Sequence, residues 1–168
     1  MRLAEEKKIV PVANNMDLSG TATNPCDSIN MKNFHRATFI CQFGALGGAA
    51  CYCVPKSGAT EGTESSDVPF RYAIGGAATG TAVAGSTASC DVLAAATNAT
   101  AAVTFAHATY DNYMLVVEVE ASDMDIANGE EWLTLTFPDT AGGLTGNVTV
   151  IAILEPRYTN ARSATCLK

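Results

Sequence analysis

The chain has 168 residues, 48% of them hydrophobic and 16% charged, with a formal net charge of −7. The hydrophobic share excludes charge-driven disorder, and the length suits one compact domain with a sizeable core. The acidic balance excludes a phosphate-neutralising surface, because the basic pair Lys7-Lys8 stands beside Glu5-Glu6, so no nucleic-acid partner is expected.

No run approaches the roughly 18 apolar residues of a membrane span, and Met1 to Lys8 is too charged to begin a secretory segment. No membrane association is expected, and the chain is expected to fold in a cytosol. The six cysteines, Cys26, Cys41, Cys51, Cys53, Cys90 and Cys166, are then expected to be mostly reduced. A globular monomer usually carries about a quarter charged residues. Here Ala, Thr, Gly and Ser fill the shortfall, which suits a surface that meets other protein.

In chain order, Ile9-Val10-Pro11-Val12 is β-branched around a proline that cannot donate to a central ladder. It reads as an edge strand or extended arm, with Asn14 to Asn30 a loop. Phe34 to Phe43 alternates and has two fairly apolar faces, Phe39, Cys41 and Phe43 on one and Thr38, Ile40 and Gln42 on the other. The Gly44 to Gly48 turn and Ala50 to Val54 complete an expected hairpin. Phe70 to Ile74 is a further strand, and the Ala/Gly/Thr-rich stretch from Gly75 to Ala102 reads as loops and thin strands. Tyr113 to Glu120 is the clearest strand and precedes one short helical turn capped by Ser122. Trp132 to Phe137 and Asn147 to Leu154 finish the series, each stopped by a proline.

No window carries a helical apolar stripe, so the fold class is all-β: an antiparallel β-sandwich or jelly-roll-like single domain, with a closed barrel the neighbouring possibility. Residues 1–30 are expected to form the arm and its loop, and residues 31–168 the sandwich.

Catalytic chemistry is sparse. Only two histidines are present, His35 and His107, and neither lies in a nucleophile–base–acid pattern, so no catalytic residue is expected. Cys51-x-Cys53 lacks zinc-site spacing, and Cys41 across the expected hairpin reads as core. Asp123, Asp125, Asn128 and Glu130 lack the spacing of a calcium loop and read as a solvated acidic turn. No metal or other cofactor is expected.

Four segments carry a resemblance: Glu5-Glu6-Lys7-Lys8-Ile9-Val10-Pro11-Val12, Asn33 to Phe39, Val117 to Asp125, and Ile153-Leu154-Glu155-Pro156-Arg157-Tyr158. In this order they resemble a family of small virion proteins of tailed bacteriophages, close in kind to capsid decoration (cement) proteins. The resemblance implies a non-enzymatic subunit made in the host bacterial cytoplasm and seated on the capsid surface. There it would stabilise the head by bridging capsid subunits. Its implied partners are the major capsid protein and other copies of itself, as a homo-oligomer within an icosahedral shell. The alternatives are a tail-tube or head-to-tail connector subunit, and a carbohydrate- or host-surface-binding sandwich. The candidate interface is Ile9, Val10, Pro11 and Val12, pairing their free edge with a neighbouring sheet, together with Glu155, Arg157 and Tyr158.

Overall fold

A computed structural model describes residues 3–19, 23–77, 92–140, 142–158 and 165–167. Eleven strands alternate with turns: β1 (Lys8–Asp17), β2 (Ile29–Asn30), β3 (Phe34–Phe43), β4 (Cys51–Gly58), β5 (Ser66–Asp67), β6 (Phe70–Ala77), β7 (Thr97–Ala99), β8 (Val103–Phe105), β9 (Tyr113–Glu120), β10 (Trp132–Thr136) and β11 (Asn147–Pro156). Two single-turn helices, α1 (Leu3–Glu6) and α2 (His107–Tyr110), complete the described elements with two 3₁₀ turns.

The strands form two antiparallel sheets packed as one sandwich domain. The larger runs β1-β11-β3-β9-β6-β7 and the smaller β2-β10-β4-β5, with β8 added to the far half of β4. Along the chain, β1, β2, β3 and β4 fall alternately in the larger and smaller sheet, and so do β9, β10 and β11. The last strand lies beside the first. This alternation is jelly-roll connectivity, in which successive strands bury facing surfaces against each other instead of pairing edges.

The reason lies in the period-two pattern. On β3, Ala37, Phe39, Cys41 and Phe43 are buried, and they share their face with Val119, Val117 and Leu115 of β9 and with Leu154, Ala152, Val150 and Val148 of β11. Cys51 and Cys53 of β4 and Leu133 and Leu135 of β10 belong to the same core from the other side. Phe43 meets Phe105 and Phe137 with ring centroids 6.0 and 5.8 Å apart, closing one end of the core. Burying each such large side chain contributes about 1.5–3 kcal/mol.

Two expectations change. β3 and β4 are not a hairpin: they lie in opposite sheets, with Cys41 of β3 and Cys51 and Cys53 of β4 in one shared core. The crossing loop is held by Gly44 N–H donating to Asn147 O and by a Gly47–Thr145 bridge. Gly48 sits at φ +76° with Gly143 O where a Cβ would project, so this crossing needs glycine.

Residues 8–17, for which an arm or an edge strand was expected, are the edge strand of the larger sheet, in register with β11 from Lys8–Leu154 to Asp17–Asn147. Val10, Val12, Leu18, Cys26 and Ile29, all before residue 31, belong to the same core as the strands that follow. The turn expected at Ser122 begins at Ala121 and has no side-chain cap. The expected loops and thin strands of the Ala/Gly-rich stretch fall partly on residues 78–91, outside the described residues; within it, β7 pairs with β6.

Candidate interaction surface

The inner face of the larger sheet is core; its outer face is built from the alternate residues of the same strands. Register aligns them into rows that cross the sheet. The central row, Pro11, Ile151, Ile40, Val116 and Ala73, is apolar over five strands. One step toward β11's C-terminal end runs Ile9, Ile153, Thr38, Glu118 and Arg71. One step the other way are Thr149, Gln42 and Met114. Ile9 is 45% and Ile151 40% exposed, high for isoleucines in long paired strands. Leu93, also exposed, lies against Gly75 and Met114 and extends the apolar area toward β6.

The last row is charged. Glu155, Arg36 and Glu120 stand side by side, Arg36 Nε donates to Glu120 at 2.6 Å, and Lys7 Nζ meets Glu155 at 2.7 Å. The hydrogen bond from Lys7 holds the Glu155 carboxyl below its usual range. A cleft of about 430 Å³ opens beside this row, lined by Arg36, Phe70, Arg71, Glu118, Glu120 and Asp123 among others. Its charged groups are of both signs, and Arg36 is already paired with Glu120, so the opposed charges weaken its field on an ionic ligand.

The residues expected at the interface do not share one surface. Ile9 and Pro11 lie on the outer face, whereas Val10 and Val12 are core, at 4% and 3% exposure. The free edge of β1 is blunted: Pro11 has no N–H, the register shifts between Pro11 and Ala13 and again before Met16, and Val12 O already accepts from Asp27 N–H. Arg157 is folded onto its own domain, its Nε donating to Phe34 O and its N–H to Asn33 O, both at 2.8 Å. Tyr158 is 64% exposed.

Ile40, Ile151, Ile153 and Val116 were not singled out from sequence. The available signal was the apolar character of both faces of Phe34 to Phe43, repeated by Val150-Ile151-Ala152-Ile153.

The other chemistry is structural. Cys26, Cys41, Cys51, Cys53 and Cys166 are free buried thiols. Burial pushes Cys41 and Cys53 well up and Cys51 up to about 12, so they stay protonated and unreactive at neutral pH. Among the described residues no three of His, Cys, Asp and Glu are grouped to hold a metal ion. The acidic turn does not converge either: Asp125 accepts from Asn128 Nδ2 at 2.7 Å, while Glu130 turns inward to accept from Ser57 and Ser66.

No family model matches the chain, and neither a curated protein nor a solved structure matches it.

Proposed function

We propose that the chain is a structural virion subunit of a tailed bacteriophage, a capsid decoration (cement) protein that bridges capsid subunits and acts without catalysis. The observation that carries this reading is the uncovered apolar row across five strands of the larger sheet. A jelly roll that leaves such a face open is suited to bury it against protein. Low charge content supports the same reading, and so does the resemblance of the four segments to phage virion proteins. Jelly-roll connectivity is common to capsid and lectin domains, so it adds little by itself. Avidity supplies the mechanism: modest interfaces repeated over a closed shell resist internal pressure together.

The sugar-binding alternative draws less support, because Tyr110 packs edge-to-face on Phe105 and Tyr113 on Tyr110, and Tyr72 lies edge-on to Phe105, leaving few aromatic faces to stack on a sugar. The test is co-sedimentation of the purified chain with emptied, expanded phage capsids. Pelleting at a fixed copy ratio is expected. Indifference to capsids together with self-assembly into rings or tubes would replace this reading with the tail-tube one.

A further inference from the structure

We infer that the outer face of the larger sheet docks on the same face of a second copy of this chain, about a two-fold axis lying along the row Pro11–Ile151–Ile40–Val116–Ala73. The inference deepens the structural-subunit reading and rests on it for its setting, but its geometry stands on the sheet itself.

Size is the first argument. Strands of up to 10 residues rise about 3.3 Å per residue, and five of them spaced about 4.8 Å apart present roughly 700–800 Å². A stable interface buries about 800 Å² per partner. The face is therefore large enough to hold a dimer without help from another element.

Anatomy is the second. An interface wants an apolar centre and a polar rim, and here the apolar row is flanked by Thr149 and Gln42 on one side and by Thr38, Glu118 and Arg71, then Glu155, Arg36 and Glu120, on the other.

Charge decides the axis. A two-fold along the strands would set Glu155 over Glu120 and Arg36 over Arg36, like over like. A two-fold along the apolar row lays Ile153, Thr38 and Glu118 over Thr149, Gln42 and Met114 of the second copy, and sets Glu155 two steps out over Asn147, so Glu155 and Arg36 no longer face their like. Each strand then crosses its own copy in the opposite direction, which the aligned packing of twisted sheets accommodates. Edge-to-edge growth at β1 is disfavoured by its blunted edge, which turns association at this end of the sheet toward the face.

The test is the mass of the full chain in solution by sedimentation velocity across a concentration series, with Ile151→Lys and, as an off-face control, Ile126→Lys, whose isoleucine is 51% exposed on a 3₁₀ turn. Twice 17.4 kDa is expected for the parent and for I126K. I151K is expected to weaken the dimer by at least about 30-fold while keeping the parent's circular dichroism. If I151K does not fold, Ile151→Thr is read in its place, since threonine suits a strand.

A parent that stays monomeric at all concentrations, a larger closed oligomer, or a dimer that I151K leaves intact or that I126K disrupts equally, each overturns the inference. The capsid experiment is read separately. A monomer that pellets with capsids sinks the dimer and spares the virion reading; a dimer that ignores them does the reverse.

Discussion

The two sheets share one core yet treat their outer faces in opposite ways. In the smaller sheet the outward positions Thr134, Thr136 and Val54 are nearly inaccessible. Thr134 shares a 2.7 Å hydrogen bond with Ser28, whose Oγ also accepts from Gly62 N–H, so the loop after β4 is folded back over that face. Thr136 donates to Val54 O across the strand pair. In the larger sheet the central outward row is apolar, with Ile151, Ile40 and Val116 at its middle, and Ile9 and Ile151 remain exposed. The threonines of the smaller sheet are covered by the chain's own loops, while isoleucines of the larger sheet are left open. That inversion is what a second protein surface would explain, because burying Ile151 and Ile40 releases water at no hydrogen-bonding cost.

The largest effects should come where the sheets do not differ. Phe39→Ala in the larger sheet and Leu135→Ala in the smaller each empty a fully buried site. Urea unfolding should show losses of about 3–5 and 2–5 kcal/mol respectively. A small loss at either would mean that the core is not shared.

Next comes Glu130→Ala. Its carboxylate, 6% exposed, accepts from Ser57 at the inner side of the smaller sheet. Removing it leaves a buried hydroxyl unsatisfied, and stability should fall by about 1–3 kcal/mol.

The outer faces supply the sharpest contrast. Thr134→Val leaves the buried Ser28 hydroxyl with Gly62 N–H alone and should cost about 1 kcal/mol. Ile151→Thr on the open face should change the unfolding free energy of the monomer by less than about 0.5 kcal/mol. Equal costs at the two positions would erase the distinction between covered and open faces.

The smallest effect is electrostatic. The folded Glu155 carboxyl is lowered from 4.5, so its pairing with Lys7 contributes stability that is present above that value and fades as pH falls through the folded pKa. The pair is partly solvated, with side-chain exposures of 22% and 42%, and belongs among surface pairs worth at most about 1 kcal/mol. Thermal unfolding of Glu155→Gln between pH 3 and 7 should therefore lie slightly below the parent near neutrality and converge with it in acid.

Much of the fold was legible because strands bury one face at a period of two, a pattern any single strand carries alone. Phe34–Phe43, Tyr113–Glu120 and the Trp132 and Asn147 strands are where alternation puts them. Which strand pairs with which was not legible. Cys51 and Cys53 look the same whether β4 pairs with β3 or faces it across the core, and only the loop at Gly44 to Gly48, locked against residues 143–147, decides for the second. The same holds for the interface residues. Val10 and Pro11 are adjacent in sequence, yet register sends the first into the core and the second outward. The alternation of Phe34 to Phe43 and of Asn147 to Leu154 declared two apolar faces per strand; a single strand cannot say which of its faces its own chain will cover. Coverage depends on where distant loops return, so the open row through Ile151 and Ile40 came into view with the assembled sheets.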